Sequence, residues 1–270
     1  MASDHPECKI RGIFWVTRHG FDRHPVFHEL SAKPANWRPD PHDRRANKRR
    51  RWSLELGEPG QTVFLKYFRP RNMLEPLRFV FKSTRAAREW RNSLRLEKIG
   101  IPVPVVLALG ERRPFKFWRQ SFLVSESFAG AKTLLQWSER FPADPRNRLL
   151  CFEVAKHLAH MHEQGYFHRD LHGDNILVVE SNGNVQIRFL DFYELTHADP
   201  GNRQYSVEDL ARLNGFVAAT KWQRIRFLRD YLKQIRPESG QLRDWLTAVD
   251  QETRRLWQYY LGKGVDYRRY

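Results

Sequence analysis

The hydrophobic pattern of residues 50–125 predicts a small sheet that carries one helix. Short runs rich in β-branched and aromatic residues, bounded by turn residues, are typical of strands. Four such runs occur in this part of the chain, at Trp52–Leu56, Thr62–Phe68, Val103–Leu109 and Ser121–Ser125. Between the second and the third run, Ser83 can cap a helix that continues to about Lys98, because Gly100 and Pro102 follow it.

From residue 126 onward the apolar positions recur mainly at helical spacing. A helix is predicted from Pro145 to Gln164, where Gly165 can end it. Two short strands follow, and the Ser-Asn-Gly-Asn sequence that joins them is a strong hairpin signal. These strands and three further helices are predicted at Ile176–Val179, Val185–Leu190, Val207–Ala218, Lys221–Arg236 and Gln241–Leu261.

Together these elements predict an α+β chain in two lobes. Residues 49–125 would form an N-lobe with an antiparallel sheet and one helix, and residues 126–270 a mostly helical C-lobe, with the boundary near Glu126–Ala131. Residues 1–48 are rich in Pro, His and Arg and only weakly periodic. We predict that they form a basic, partly irregular extension, in which Ile10–Val16 suggests a strand.

The positive charge is concentrated in the first half of the chain. Residues 1–125 carry 26 Lys and Arg against 12 Asp and Glu, whereas residues 126–270 carry 21 against 19. A basic half favours an anionic partner, which could be a phosphorylated substrate, an acidic lipid surface or a nucleic acid. A solvated surface that merely tolerates arginine would look the same, and the charge alone does not choose among these interpretations.

Composition also indicates where the chain works. The two cysteines, Cys8 and Cys151, have neither CxxC nor zinc-site spacing, so a disulfide framework is not expected. No apolar run reaches 18 residues, and Met1–Lys9 lacks the apolar core of a signal peptide. A reducing cytoplasm is therefore the expected setting.

The candidate chemistry follows the helix that is predicted to end at Gln164. Asp170 precedes Asn175 by five residues, and Asp191 comes directly after the predicted hairpin, which should return it beside Asn175. One carboxylate can accept the proton of a hydroxyl, while an amide oxygen and a second carboxylate suit Mg²⁺ on the phosphates of ATP. Such residues can also be plain turn formers and strand-end caps. Their spacing together with the hairpin favours phosphoryl transfer, with His168 and Arg169 bracing the turn.

Lys66 lies inside the apolar strand Thr62–Phe68, where an unpaired ammonium group would be costly to bury. We expect Glu89 on the next helix to pair with it, so that Lys66 can contact the α- and β-phosphates of ATP. An edge-strand lysine that reaches water would give the same pattern. No glycine-rich phosphate loop precedes the first strand of the lobe. Arg49–Arg51 stand there instead and could cover the phosphates or form a surface run of charge.

Together these residues resemble the eukaryotic-protein-kinase-like superfamily and, within it, the bacterial lipopolysaccharide core kinases of the Kdo/WaaP family. The resemblance covers roughly residues 50–235. It is carried by Phe64-Leu65-Lys66, Arg88-Glu89-Trp90-Arg91-Asn92, Gly100-Ile101-Pro102-Val103-Pro104, Phe122–Glu126, His168-Arg169-Asp170, Asn175-Ile176-Leu177 and Leu190-Asp191-Phe192. The strand Phe122–Glu126 resembles the hinge, where backbone groups hold adenine, so Glu126 is expected to contact the nucleotide.

The resemblance implies a protein-kinase-like fold and a role for each matching residue. Asp170 would be the base, and Asn175 and Asp191 would be the Mg²⁺ ligands. Lys66, held by Glu89, would bind the phosphates of ATP.

Two departures from protein kinases bear on the acceptor. Tyr193 stands where protein kinases carry Gly after Asp-Phe, and no Ala-Pro-Glu motif follows. Only 17 residues separate Asp191 from Glu208 in the next predicted helix. A platform for a protein substrate is therefore poorly supported, and a small or sugar acceptor is favoured.

The resemblance thus implies an ATP-dependent kinase with an alcohol acceptor, namely a sugar hydroxyl of the lipopolysaccharide inner core, on Kdo or heptose. The basic N-lobe would suit this anionic glycolipid and a peripheral, salt-sensitive contact with the inner face of the inner membrane. A small-molecule kinase of the aminoglycoside-phosphotransferase type is the alternative, and a protein kinase the third. A pseudokinase or nucleic-acid-binding protein is disfavoured, because the catalytic residues are intact and no RNA-binding motif accompanies the charge. We expect no nucleic-acid partner, and the oligomeric state is not predicted.

Overall fold

The apolar runs of the first half of the chain form one antiparallel sheet in the computed structural model. The structure describes residues 5–32, 50–55, 62–70, 79, 82–128, 130–181, 184–215, 217–235 and 242–263. It divides into two units, of which the first comprises Met1–Arg95 with Pro104–Ala129 and the second Leu96–Val103 with Gly130–Tyr270. From Gly130 onward the chain belongs to the second unit. Gly130 lies within the stretch where the sequence pattern changes from strands to helices.

In the part of the first unit that the structure describes, the sheet has six strands in the order β1-β2-β5-β6-β4-β3, and all neighbours are antiparallel. The strands are β1 (Glu7–Ile10), β2 (Ile13–Thr17), β3 (Arg50–Glu55), β4 (Thr62–Phe68), β5 (Val106–Arg112) and β6 (Gln120–Glu126). The single strand suggested at Ile10–Val16 is wrong. Arg11 and Gly12 both have positive φ and turn the chain, so that a hairpin of β1 and β2 forms there and joins the sheet.

Within the described residues of the first unit, two helices accompany this sheet, α1 (Pro25–Ala32) and α2 (Arg85–Lys98). Thr84 caps α2 by accepting the backbone N–H of Ala87 at 3.1 Å. The predicted cap, Ser83, instead accepts a hydrogen bond from Arg91 at 2.6 Å. The helix ends before Gly100, as predicted.

Apolar side chains pack on both faces of the sheet. One cluster includes Trp15, Phe27, Leu65 and Phe122, and the other includes Phe68, Trp90 of α2 and Leu123. Because successive side chains of a strand point to opposite faces, Lys66 of β4 faces away from the Leu65 cluster and toward the side on which α2 packs.

The second unit is mostly helical. Its helices are α3 (Leu134–Arg140), α4 (Asn147–Glu163), α5 (Arg203–Gly215), α6 (Lys221–Ile235) and α7 (Leu242–Leu261). Its strands are β7 (Lys132–Thr133), β8 (Tyr166–Phe167), β9 (Ile176–Ser181), β10 (Asn184–Phe189) and β11 (Thr196–His197), paired in the orders β10-β9-β7 and β11-β8. The α+β fold class is confirmed, and the sequence pattern missed only the short α3 among these helices.

An apolar core of described residues holds the second unit together. It includes the inner face of α4, with Leu150, Val154 and Leu158, and the inner side of the β9–β10 hairpin, with Ile176 and Phe189. This core anchors the hairpin whose open end carries the candidate site. None of the helices within the described ranges has the length and apolar character needed to cross a bilayer.

Candidate active site

The hairpin of β9 and β10 brings Asn175 and Asp191 to the same end of the strand pair. Ile176 lies opposite Phe189 in this pair, and the backbone N–H of Leu190 donates to the carbonyl of Asn175 at 2.8 Å. Asp191 therefore directly follows a residue that is hydrogen-bonded to Asn175. This is the neighbourhood that the hairpin signal in the sequence predicts.

Asp191 has a left-handed backbone conformation, with φ 62° and ψ 60°. Few residues other than glycine adopt it, and those that do cluster at functional sites. The residue is 7% exposed. The ring of Phe192, which follows it, is buried and lies 5.4 Å from the imidazole of His168 between centroids. This packing joins the segment after the hairpin to the turn that carries Asp170.

One buried carboxylate supports the turn that carries Asp170. Asp209 on α5 accepts the backbone N–H of His168 at 2.6 Å through Oδ2 and that of Arg169 at 2.8 Å through Oδ1. These bonds hold Arg169 at a positive φ of 68°. The turn leaves 38% of the Asp170 side chain exposed, so its carboxylate is accessible to a substrate hydroxyl.

Asp209 belongs to a buried polar network that the sequence analysis missed. Burial alone would raise the pKa of Asp209, but hydrogen bonds from His162 and from the backbone of Arg169 hold that pKa below its ordinary value. His162 Nε2 lies 3.3 Å from Asp209 Oδ2, and its Nδ1 lies 2.8 Å from the Tyr231 hydroxyl. Burial raises the pKa of Tyr231, so this hydroxyl keeps its proton and can donate to His162.

His168 and Arg169 brace the turn, as the sequence analysis expects. His168 is buried, and its Nε2 lies 2.8 Å from the carbonyl oxygen of Leu190. The guanidinium group of Arg169 pairs with Glu208 and lies 4.3 Å from the centre of the Tyr205 ring. The side chain of Arg169 is therefore occupied within the protein.

The side chain of Asn175 is fixed by two hydrogen bonds of its amide nitrogen. Nδ2 donates to the backbone carbonyl of Asp170 at 2.8 Å and lies 3.1 Å from Nε2 of His172. Within the described residues no donor is bonded to Oδ1, which leaves this oxygen free for a cation. Burial lowers the pKa of His172, while the charges of Asp170 and Asp174 partly oppose the shift.

The two carboxylates of the turn, Asp174 and Asp170, differ in how firmly they are held by hydrogen bonds. Asp174 accepts the hydroxyl of Thr133 at 3.0 Å, and Thr133 also caps α3 through a capping box with Gln136. The Asp170 carboxylate lies 4.0 Å from Nε2 of His172. Asp174 is therefore tied to α3, whereas Asp170 has only this long contact with a side chain among the described residues.

The first unit contains the predicted pair of Lys66 and Glu89. Lys66 Nζ is bonded to the carboxylate of Glu89 on α2, and their side chains are only 11% and 4% exposed. The pair satisfies the ammonium group inside the apolar strand, so the alternative of a lysine that reaches water does not apply.

Glu126 forms hydrogen bonds through both its backbone and its side chain. Its backbone N–H donates to the carbonyl of Val105 at 2.9 Å, and its carboxylate accepts the N–H of Val105 at 3.0 Å. The side chain thus holds the start of β5, and a nucleotide contact at Glu126 stays a prediction. Of the proposed phosphate cover, Arg49 lies outside the described residues, and only the backbone of Arg50 and Arg51 in β3 is described.

The side-chain oxygen atoms at the open end of the hairpin suit a hard cation. Mg²⁺ prefers oxygen ligands and is commonly held by one or two carboxylates together with substrate phosphates. Asn175 Oδ1 and the carboxylate of Asp191 form a set of this kind. Within the ranges that the structure describes, no group of three or more His, Cys, Asp or Glu could hold a metal ion by itself. Water molecules and the phosphates of a bound nucleotide would complete the coordination of a cation held there.

Comparison with known proteins points to one family. Residues 30–231 match the family model described as the lipopolysaccharide kinase (Kdo/WaaP) family. The lipopolysaccharide core heptose(I) kinase WaaP of Pseudomonas aeruginosa PAO1 is 30% identical over 176 residues, which span 58% of this chain and 65% of that protein. The match therefore leaves out about a third of that relative.

Among the solved structures that are similar to this chain are a WaaP protein and a Rio2 kinase. The first, WaaP in complex with acyl carrier protein, has a TM-score of 0.61 and 23% identity and covers 90% of this chain and 99% of that one. The second, a Rio2 kinase from Chaetomium thermophilum with ADP and Mg²⁺, has a TM-score of 0.47 and 16% identity over 93% of this chain and 80% of that one. The first match confirms the protein-kinase-like fold.

Proposed function

The chain belongs to the lipopolysaccharide kinase (Kdo/WaaP) family, and on this premise we propose that it is an ATP-dependent kinase that phosphorylates a sugar hydroxyl of the lipopolysaccharide core. The observation that carries the proposal is the turn at residues 168–175. There, Asp209 holds the backbone so that the Asp170 carboxylate is accessible, and the Asp170 carbonyl fixes the amide of Asn175. This arrangement supports a proton acceptor at Asp170 next to a cation ligand at Asn175.

Asp170 is proposed to orient the acceptor hydroxyl and to take its proton. As the hydroxyl oxygen forms its bond to the γ-phosphorus, the bond from that phosphorus to the β-phosphate oxygen breaks and ADP leaves. Phosphoryl transfer depends mostly on positioning and on neutralising charge. Asp170 suits the positioning of the hydroxyl, because its backbone is held in place and its carboxylate is open to solvent.

Lys66, Asn175 and Asp191 are proposed to manage the charge of the nucleotide. Lys66, held by Glu89, would bind the α- and β-phosphates through its ammonium group. Asn175 Oδ1 and the Asp191 carboxylate would hold Mg²⁺, which when bound neutralises charge on the phosphate oxygens. Lys66 is paired with Glu89, and the amide of Asn175 is fixed by its own hydrogen bonds, so each of these side chains is held within its own unit.

ADP release from Mg²⁺-ATP, with lipopolysaccharide core as acceptor, tests the role of Asp170. We expect Asp170→Ala to lower kcat by about 10²–10⁴-fold, the usual contribution of a positioned base. Asp174→Asn is the matched control, because it alters a carboxylate of the same turn while its amide oxygen can still accept the Thr133 hydroxyl. Unchanged turnover in Asp170→Ala would contradict the mechanism.

The acceptor sugar is proposed to be heptose rather than Kdo, because the relative from Pseudomonas aeruginosa is a heptose(I) kinase. The basic charge of the chain, +16 at pH 7, fits an anionic glycolipid better than a cationic aminoglycoside. Labelled ATP offered with a Kdo-terminated core, a heptose-containing core, an aminoglycoside and a generic protein would separate these acceptors. Label in the Kdo-terminated core would reassign the sugar, and label only in the aminoglycoside or the protein would overturn the lipopolysaccharide assignment.

An acyl carrier protein is a second partner that we propose for this chain. The solved WaaP relative is in complex with one, and this chain contains an apolar cavity of about 670 Å³ in its second unit. Each of the five helices α3 to α7 contributes to its lining, with Leu134, Leu150, Val154, Leu213, Phe227 and Leu246 among the residues. A cavity of this size and character suits an acyl chain.

Binding of acyl carrier protein in its long-chain acyl form and in its unacylated form, measured by fluorescence anisotropy, tests this partner. We expect the acyl form to bind more tightly, because only its chain can fill the cavity. Leu246 is a partly buried residue of the cavity wall, so Leu246→Trp should reduce the volume of the cavity. The difference in affinity between the acyl form and the unacylated form should then become smaller. Equal binding of the two forms by the unaltered chain would exclude the acyl chain from the cavity.

A further inference from the structure

We propose that His172 is a positioning residue, whose imidazole fixes the amide of Asn175 in the orientation of a Mg²⁺ ligand. The proposal rests on the proposed function, since it assigns a residue to the cation site of that reaction. It adds a residue that the sequence analysis left without a role. Three observations carry it, namely the partners of the amide nitrogen, the tautomer that they require and the exposure of the imidazole.

The partners of Asn175 Nδ2 determine which way the amide faces. Nδ2 is 2.8 Å from the carbonyl oxygen of Asp170, and a carbonyl can only accept a hydrogen bond. The group at this position is therefore the NH₂ group and not the amide oxygen. His172 Nε2, at 3.1 Å from the same nitrogen, must then accept the second N–H.

This arrangement also defines the state of His172. An accepting Nε2 carries a lone pair, so the proton of the neutral imidazole lies on Nδ1. The lone pair of Nε2 is then taken by Asn175, and His172 is not free to act as a second base beside Asp170. Both amide hydrogens of Asn175 are in use, and Oδ1 is the one polar atom of the side chain left to face a cation.

Without His172, one hydrogen bond to the Asp170 carbonyl would remain, and the amide could rotate about it. Groups that orient a metal ligand typically change metal affinity by about 10–100-fold when they are replaced. The side chain of His172 is 30% exposed, and the residue directly precedes the short 3₁₀ turn Gly173–Asn175. Its replacement should therefore weaken the cation site much more than the fold.

Binding of Mn²⁺ in the presence of saturating ADP, measured by electron paramagnetic resonance, tests the proposal without the need for catalysis. His172→Phe keeps a ring but has no acceptor, and we expect it to raise the Kd for Mn²⁺ by about 10-fold or more. His172→Gln, which offers a carbonyl oxygen as acceptor, should recover part of the loss. His157→Phe is the control, because His157 is a half-buried histidine of α4 that contacts Glu153.

The outcomes separate this proposal from the proposed function. Tight Mn²⁺ binding by the unaltered chain together with an unchanged Kd in His172→Phe would overturn the role of His172 and leave the kinase assignment intact. Absence of ADP-dependent Mn²⁺ binding in the unaltered chain would overturn both. Equal urea midpoints for His172→Phe and His157→Phe would confirm that a weaker site does not reflect a weaker fold.

Discussion

Replacing Asp209 with Asn should loosen the turn that carries Asp170, although Asp209 itself does not contact a substrate. The carboxylate is fully buried and accepts the backbone N–H groups of His168 and Arg169 as well as a bond from His162. An asparagine can accept through one oxygen only, and its NH₂ group would face one of these donors. At least one buried N–H group is then left without its acceptor.

The magnitude of the Asp209→Asn effect follows from the kind of bonds that are lost. Hydrogen bonds to a charged acceptor contribute about 1.5–3 kcal/mol each, and removing a buried charged partner costs about 3–5 kcal/mol. We expect the free energy of unfolding to fall by about 3–5 kcal/mol at pH 7. We also expect kcat to fall by about 10²-fold in the molecules that stay folded, because a shift of about 1 Å in the base has this effect.

The pH dependence of the free energy of unfolding provides a further check of the Asp209 prediction. The pKa of Asp209 is lower in the folded chain than its ordinary value. Its contribution to stability is therefore complete above about pH 4 and is lost as the pH falls through the folded pKa. Urea denaturation of the unaltered chain and of Asp209→Asn should differ most near neutral pH and converge in acid.

An exposed aspartate provides the control for this experiment. Asp250 on α7 pairs with Arg254 at the surface, so Asp250→Asn should change the free energy of unfolding by less than about 0.5 kcal/mol. Wild-type stability and wild-type kcat in Asp209→Asn would refute the argument that the buried carboxylate holds the turn that carries Asp170.

Three further predictions concern the first unit and the charge of the chain. Lys66→Met should lower kcat/KM for ATP by about 10²-fold or more in steady-state kinetics, whereas the exposed Lys156→Met should not. Gly110→Ala should lower the free energy of unfolding by about 1–3 kcal/mol in urea denaturation, because the new Cβ would lie 2.7 Å from the ring of Trp15; unchanged stability would contradict this close approach. The chain should sediment with anionic vesicles at low salt and be released by high salt, and equal binding to neutral vesicles would argue against an electrostatic contact.

Much of the candidate site could be predicted because its signals are local. Lys66 stands out as a charge inside an apolar run, and a helix that follows at short range offers Glu89 as its partner. The positions of Asn175 and Asp191 follow from a hairpin whose turn sequence is explicit, since Ser181 lies opposite Asn184 at its closed end. Their roles in binding ATP and Mg²⁺ stay predictions.

The parts that could not be predicted depend on contacts between distant segments or on unusual backbone conformations. Asp209 supports a turn some 40 residues earlier in the chain, and nothing near Asp209 in the sequence indicates this contact. The β1–β2 hairpin depends on positive φ at Arg11, which is not a typical turn residue. Helix α3 is short, and its capping box at Thr133 and Gln136 is the one local signal that could have revealed it.

The mass of the lipopolysaccharide core after incubation with Mg²⁺-ATP and the purified chain tests the role of Asp170 most directly. We expect the core oligosaccharide to gain one phosphate group on a sugar with the unaltered chain and with Asp174→Asn, and to gain none with Asp170→Ala. A core of unchanged mass with an active preparation, or equal phosphorylation by Asp170→Ala, would contradict the assignment of Asp170 as the base of a lipopolysaccharide core kinase.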